Sequence, residues 1–218
     1  MIKEGPLMSL PACPSPRVPT QHPSIPIQLA DRPTWRGLVV PAITLRHRNG
    51  TPVLGEVDSD TVADCLIGQR CQLCDQGLEE VAVLMARPQD FVRGYVDEPA
   101  QHPWCATYTI RACPMLSGRL QRHRTSPRSA RPCGDPRCQC ASWNTTTPDA
   151  VIRAGQDADP WFSVRFSATD YTLRPSARGA PKGVSLRHLT RSKIRLVTPG
   201  RPSADDLAII ARLGLPWS

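Results

Sequence analysis

The sequence predicts an α+β protein in which a small treble-clef-like zinc unit packs with short β-hairpins and a C-terminal helix. Three observations lead to this prediction. An apolar stretch before an Asn-Gly turn indicates a strand at residues 38–47, and alternating apolar and polar residues indicate another at 162–166. A capped apolar segment after Ser203 indicates a helix. Between residues 71 and 105, closely spaced cysteine and histidine residues are typical of a bound metal ion.

Composition limits the size of the core and the classes of partner. The 24 prolines among 218 residues exceed twice the usual share of roughly 5%, so we expect a good part of the chain to lie outside the packed core. The net charge of +8 favours anionic partners. Nearly all of the positively charged residues are arginines, however, and the codon bias of a GC-rich genome also produces an arginine-rich composition. No apolar segment is long enough for a signal peptide or a membrane span. We therefore expect a cytoplasmic protein whose nine cysteines are metal ligands or thiols before they are disulfides.

Four parts are expected along the chain. Residues 1–33 contain eight prolines and are predicted to be a flexible, disordered arm. Residues 34–116 hold a β-hairpin and the zinc unit, and residues 117–142 form an Arg- and Cys-rich bridge. Residues 143–218 are predicted to form a small α+β part.

The first predicted hairpin lies at residues 38–57. Asn49-Gly50 can supply the two positive-φ positions of a type I′ turn between strands at 38–47 and 52–57. Pro41 has no N–H to donate, which places its strand at a sheet edge. Ser59 can cap a short helix that follows.

The C-terminal part holds further strand candidates at residues 171–173 and 184–197. Ser203 and Asp206 resemble a capping box at the start of the final helix, and Gly214 ends that helix. The predicted apolar face of the helix consists of Leu207, Ile210 and Leu213.

The primary candidate metal site consists of Cys71, Cys74, His102 and Cys105. The first two form a C-x2-C knuckle, whose turn directs both thiolates toward one ion. Pro103 suits the first turn of a helix, and residues three apart on a helix share a face, so His102 and Cys105 can reach the same ion. A hairpin is predicted between the knuckle and the helix, with strands at 81–85 and 91–96. This order is that of a treble clef, and three thiolates with one imidazole form a closed structural zinc site.

Cys113 competes for the fourth ligand position. It lies eight residues beyond Cys105, which is about 12 Å along a helix, whereas two ligands of one zinc ion lie about 4 Å apart. We therefore expect Cys113 to be a buried thiol. A redox C-x2-C motif and a set of unliganded core residues are the alternative interpretations of the four-residue site.

Part of this segment resembles a known group of proteins. After the knuckle the chain reads Glu98-Pro99-Ala100-Gln101-His102-Pro103-Trp104-Cys105-Ala106-Thr107-Tyr108 and then Arg111-Ala112-Cys113-Pro114-Met115-Leu116. It resembles the E-P-P-x-H-x-x-C-A-x-Y-A-x-x-x-C-P-x-L motif of short, uncharacterised bacterial and phage-borne proteins. Ala100 replaces the second proline of that motif, Asp75 replaces the usual glycine after the knuckle, and residues 200–204 resemble the group's G-R-P-A-T helix start. The resemblance implies zinc binding and no particular activity.

A second cluster, C-x4-C-x-C, consists of Cys133, Cys138 and Cys140 in a Gly- and Pro-containing loop. It lacks a fourth ligand, for which His123 is the nearest candidate and Cys13 a distant one. The cluster is either a second zinc site or a set of exposed thiols. We therefore expect one Zn2+ per chain, and two if this loop binds metal.

The sequence favours a function without catalysis. It contains no phosphate-binding loop, no nucleophile elbow and no H-E-x-x-H motif. An HNH-type nuclease needs a histidine base on the treble-clef hairpin, and residues 75–101 contain no histidine. We predict a zinc-stabilised protein-interaction (adaptor) module. The alternative is non-specific nucleic-acid binding by the Arg-rich segment 117–137, through Arg119, Arg122, Arg124 and Arg128. An HNH-like nuclease is the less favoured third interpretation.

Overall fold

The computed structural model describes residues 22–125, 132–143, 148–176, 179–187, 189 and 192–217. In this part of the chain, helices and small antiparallel sheets alternate, which confirms the predicted α+β class. None of the helices within these residues is long and apolar enough to cross a membrane.

Strands and helices follow one another in short elements. The strands are β1 (Thr34–Trp35), β2 (Leu38–Val39), β3 (Thr44–Arg46), β4 (Pro52–Val57), β5 (Val81–Ala86), β6 (Tyr95–Val96), β7 (Trp161–Ser167), β8 (Leu173–Pro175), β9 (Pro181–Ser185) and β10 (Lys193–Thr198). The helices are α1 (Ser59–Ile67), α2 (Pro88–Arg93), α3 (Pro103–Ala112), α4 (Pro148–Arg153) and α5 (Ala204–Leu213).

Two three-stranded antiparallel sheets form the centre of the fold. Their strand orders are β10-β7-β5 and β6-β9-β8, and two separate hairpins pair β1 with β2 and β3 with β4. The alternation along β7 points Val164 and Phe166 into the main core, where they meet Leu84 of β5 and Val184 of β9. The predicted strands at 162–166 and within 184–197 are confirmed, the latter as two strands, β9 and β10.

The first hairpin is confirmed, but its predicted turn type is wrong. Of the two central residues only Gly50 has a positive φ, +82°, whereas a type I′ turn needs both. The Gly50 N–H donates to the His47 carbonyl (2.8 Å), and the His47 N–H donates to the Thr51 carbonyl (2.9 Å). This is the three-residue loop with glycine in the left-handed region. The strand before it is interrupted around Pro41, so that β2 pairs with β1 and only β3 pairs with β4.

The hairpin predicted between the knuckle and α3 does not form, and the treble-clef arrangement is not confirmed. β5 pairs instead with β7, from which it is far removed in sequence. Residues 91–96 contribute to α2 and β6. Pro88 occupies the first turn of α2, the Arg87 N–H donates to the Asp90 carboxylate (2.8 Å), and Gly94 ends the helix at φ +78°. These local signals favour a helix at residues 88–93, and β5 is buried against β7 and α3. Together they are more favourable than the predicted pairing of residues 81–85 with 91–96.

Helix α1 and its N-cap begin one residue earlier than predicted. Asp58, and not Ser59, is the N-cap, because its carboxylate accepts the Thr61 N–H at 2.8 Å. The helix ends before Gly68, and Cys65 is buried.

Helix α5 has the predicted capping box and the predicted end at Gly214, but its buried face was predicted incorrectly. The structure buries Ile209 and Ile210, while Leu207 and Leu213 each stay 45% exposed. Ile210 packs on Phe162, and Ile209 beside it widens the apolar side that faces the core. A stripe chosen by spacing alone omitted Ile209.

Two candidate metal centres

The knuckle of the primary site is built by a tight hairpin-like turn. Two backbone hydrogen bonds close this turn. The Cys71 N–H donates to the Gln76 carbonyl (2.8 Å), and the Asp75 N–H donates to the Cys71 carbonyl (2.9 Å). Asp75 lies at φ +68°, in the left-handed region where glycine is the usual residue and aspartate one of the few alternatives. Its carboxylate pairs with Arg70 at 2.8 Å, and the Arg70 Nε–H donates to the Asp75 carbonyl at 3.0 Å.

Helix α3 supplies the other two donors. His102 is its N-cap and Pro103 its first residue, so Cys105 falls in the first turn beside the histidine. The His102 Nε2–H donates to the Gly77 carbonyl at 2.9 Å. This bond leaves Nδ1 unprotonated and directed at Sγ of Cys74 (3.3 Å) and of Cys105 (3.9 Å). The ring also stacks on Trp104, with ring centroids 4.6 Å apart.

The four donors have the spacing of a tetrahedral zinc site. Sγ of Cys71, Cys74 and Cys105 and a ring nitrogen of His102 all lie within 4.8 Å of one another. Zn–S bonds of about 2.3 Å and Zn–N bonds of about 2.0 Å give donor–donor distances of about 3.5–3.8 Å. All four side chains are buried, with at most 5% exposed. The chain therefore holds an ion-sized donor set that closes without a ligand from solvent.

The thiol groups of this site influence one another strongly. Hydrogen bonds from Cys105 and Cys74 lower the pKa of Cys71 to about 3. The same contacts with Cys71 and Cys74, followed by burial, raise the pKa of Cys105 far above its usual range. Without a cation, the cluster holds one thiolate only by keeping a neighbour protonated. A divalent metal ion removes this conflict, since it lets all three sulfurs ionise.

A segment of the predicted arm covers this centre. Ile27–Leu29 forms one turn of 3-10 helix, and Leu29 is completely buried against Cys71, Cys105 and Tyr108. The Val39 N–H donates to the Tyr108 hydroxyl (2.9 Å), which ties β2 to the same cluster. Residues 22–33 are thus part of the folded unit, while residues 1–21, including Cys13, lie outside the described residues.

A second donor cluster joins His47 with Cys133, Cys138 and Cys140, whose ligand atoms again lie within 4.8 Å of one another. Sγ of Cys133 and Cys140 are 3.7 Å apart, and Sγ of Cys138 is 3.8 Å from His47 Nδ1. The histidine comes from the turn between β3 and β4. It lies 91 residues from Cys138 in the sequence, and no spacing motif links them.

His123, the sequence-based candidate for the fourth position, lies elsewhere. Its ring Nε2 is 3.0 Å from Asp159 Oδ2, and its backbone N–H donates to the Gln156 carbonyl (2.8 Å). Burial by itself would raise the pKa of Asp159, but the hydrogen bond from His123 and the nearby positive charge of Arg87 lower it. The structure therefore brings three of the four proposed ligands together and replaces His123 with His47.

Backbone amides support the sulfurs of the second cluster. The Arg48 N–H donates to Cys138 Sγ (3.5 Å), and the Cys133 N–H donates to Cys140 Sγ (3.4 Å). The first of these bonds, together with His47, lowers the pKa of Cys138 to about 6. The His47 ring stacks on Trp143 with centroids 5.1 Å apart. Both clusters thus place the metal-facing histidine against a tryptophan.

The arginines proposed for phosphate contact take part in contacts within the chain. Arg119 donates to the carbonyls of Arg111 and Ala112 (3.1 and 2.7 Å) at the end of α3. Arg122 pairs with Asp157 at 3.1 Å. The carbonyl of Arg124 accepts the Gly155 N–H at 3.0 Å. Arg128 lies outside the described residues.

Cys113 belongs to neither cluster. It is half-buried at the end of α3, where it packs with Val83, Met85 and Leu116. Burial raises the pKa of its thiol.

Comparison with known proteins adds no assignment: no protein-family profile, no curated protein and no solved structure matches this chain.

Proposed function

We propose that this chain is a zinc-stabilised protein-interaction (adaptor) module without catalytic activity of its own. The primary cluster carries this proposal. Its four donors come from the chain and are all buried, so they fill a tetrahedral coordination sphere. A catalytic zinc ion needs an open position for water or substrate, and this donor set leaves none. Zinc in such a site stabilises a fold that then serves another purpose.

The surface supplies features that suit a protein partner. Val92 of α2 and Leu207 and Leu213 of α5 are 45–47% exposed, and these two helices pack against each other. Contiguous exposed apolar patches often mark interaction surfaces, and the packing of α2 against α5 puts these side chains on neighbouring helices. Helix α5 is therefore the element on which we expect a partner to dock.

Non-specific nucleic-acid binding is the second candidate, favoured by the net charge of +8. The contacts of Arg119 weaken it. Arg119 would have to exchange its bonds to the end of α3 for contacts with phosphate, whereas Arg122, 67% exposed, has only an exposed ion pair with Asp157 to give up. For Arg119, such an exchange gives little net free energy.

Proximity labelling in the source cells, followed by capture with purified protein, tests the interaction surface. The triple variant Val92→Ser, Leu207→Ser, Leu213→Ser should lose the labelled partner at unchanged zinc content. The matched control is Ile67→Ser, which changes a side chain of α1 that is 65% exposed and should keep the partner.

Fluorescence anisotropy with a random DNA duplex separates the two candidates. The adaptor module should not bind at physiological salt. Binding that falls with salt, is lost when Arg119, Arg122, Arg124 and Arg128 are all changed to Ala, and is unaffected by the triple serine variant would replace the adaptor proposal with the nucleic-acid one.

A further inference from the structure

We propose that His47, Cys133, Cys138 and Cys140 bind a second zinc ion, which fastens residues 132–143 to the hairpin of β3 and β4. This proposal is independent of the adaptor function. It differs from the sequence-based interpretation in its fourth ligand, because His47 joins the site only through tertiary structure.

The geometry fits one ion. The Cys133–Cys140 Sγ distance of 3.7 Å and the Cys138–His47 distance of 3.8 Å are close to the edges of a zinc tetrahedron, which are about 3.5–3.8 Å. A disulfide between Cys133 and Cys140 would need its sulfurs at about 2.05 Å. Three thiolates and an imidazole form a soft donor set, which selects zinc over magnesium or calcium.

Little else holds the segment in place within the described residues. Trp143 packs on Leu45 and Val53, which form a small cluster separate from the main core. Arg48 and Asp135 are 3.5 Å apart, with 48% of the arginine side chain exposed, and exposed ion pairs of this kind contribute little. A metal ion is therefore the strongest connection available between the segment and the hairpin.

The site also lies nearer the surface than the primary one. Cys138 and Cys140 are buried, but His47 and Cys133 are only half-buried. Solvent and competing ligands can reach the ion on that side. We infer that this zinc ion exchanges readily and that the attachment of residues 132–143 follows the free zinc concentration.

Metal content of the full chain, purified under reducing conditions and measured by mass spectrometry, gives the first test. The wild type should hold two zinc ions per chain, and His47→Ala should hold one. Two controls make the result specific. His123→Ala should keep two ions, and His47→Cys should also keep two, because four thiolates form an equally good zinc site.

Cobalt substitution of both sites gives a readout that, expressed per chain, does not depend on yield. The thiolate-to-cobalt absorption of the wild type should fall by about half in His47→Ala. A wild-type content of one ion, with Cys133 and Cys140 free or disulfide-linked, would overturn the proposal. So would two ions that persist in His47→Ala and drop to one in His123→Ala.

Hydrogen exchange tests the structural consequence. Removal of one zinc ion by a mild chelator should raise the exchange rate of residues 132–143 and of the turn at His47 by at least about tenfold, while β5 and β7 stay protected. Unchanged exchange in residues 132–143 after loss of the second ion would show that the metal does not fasten this segment.

Discussion

The two clusters use the same donors in different surroundings. Each has three cysteines, one histidine and a tryptophan stacked on that histidine. Cys74 and His102 of the primary cluster lie 28 residues apart, whereas Cys138 and His47 of the second lie 91 apart. The primary cluster is packed into an apolar group with Leu29 and Tyr108. The second cluster lies beside a smaller apolar group formed by Leu45, Val53 and Trp143.

This difference shows what the donor set does and does not decide. Three sulfurs and an imidazole favour soft ions with tetrahedral coordination, such as zinc. Burial and the number of surrounding contacts determine how tightly the ion is retained and how much of the fold depends on it. We therefore expect loss of the primary ion to unfold the surrounding core. Loss of the second ion should release only residues 132–143 from the hairpin of β3 and β4.

The largest expected effect is loss of a primary ligand. Cys74→Ser should remove one zinc ion and unfold the surrounding unit, because structural zinc contributes about 10–16 kcal/mol, as much as a whole domain's stability. Metal analysis and circular dichroism are the measurements. Cys113→Ser, the control, should keep both its metal and its fold. Normal melting of Cys74→Ser would show that the primary site is not structural.

The next effect is loss of the cover over the primary site. Leu29→Ala removes a fully buried side chain and should lower the free energy of unfolding by about 2–5 kcal/mol. Urea denaturation followed by tryptophan fluorescence measures it. Ile27→Ala, in the same turn but 82% exposed, should change stability by less than about 0.5 kcal/mol. Equal effects of the two variants would mean that this turn does not pack on the metal centre.

A smaller effect separates the two sites kinetically. A chromogenic chelator should release zinc in two phases, with the second site at least about tenfold faster, equivalent to about 1.4 kcal/mol. The faster phase should be missing in His47→Ala. A single phase that releases both ions would contradict the contrast drawn from burial.

The smallest effect concerns His123. His123→Ala should cost about 1 kcal/mol at neutral pH through loss of its contact with Asp159, and it should leave the metal content unchanged. Because the pKa of Asp159 is lowered on folding, its contribution is present above the ordinary aspartate pKa and is lost as pH falls through the lowered value. Denaturation of both proteins across this range measures the effect. A cost that persists in strong acid would show that the contact with the Asp159 carboxylate is not its source.

Local sequence signals predicted much of the primary site. The C-x2-C spacing and the proline after His102 indicated a knuckle and a helix start, which the structure places within reach of one ion. The capping box at Ser203 and Asp206 likewise predicted the start of α5. These signals work because a turn or a helix start is determined by neighbouring residues.

Contacts between segments far apart in the sequence could not be predicted from local signals. The strand at residues 81–86 has the apolar composition of a buried strand, but that composition does not say which strand it pairs with. The structure pairs it with β7 and not with residues 91–96. The buried face of α5 and the placement of Leu29 also depend on which surfaces meet.

The sequence by itself determined the donor types, the knuckle, the starts of α3 and α5, and the α+β class. Tertiary structure alone decided that His47, from a hairpin turn, completes the second cluster and that His123 pairs with Asp159. The physical reason is that local hydrogen bonds depend on adjacent residues, whereas contacts between distant segments depend on which surfaces can be buried together at the lowest total free energy.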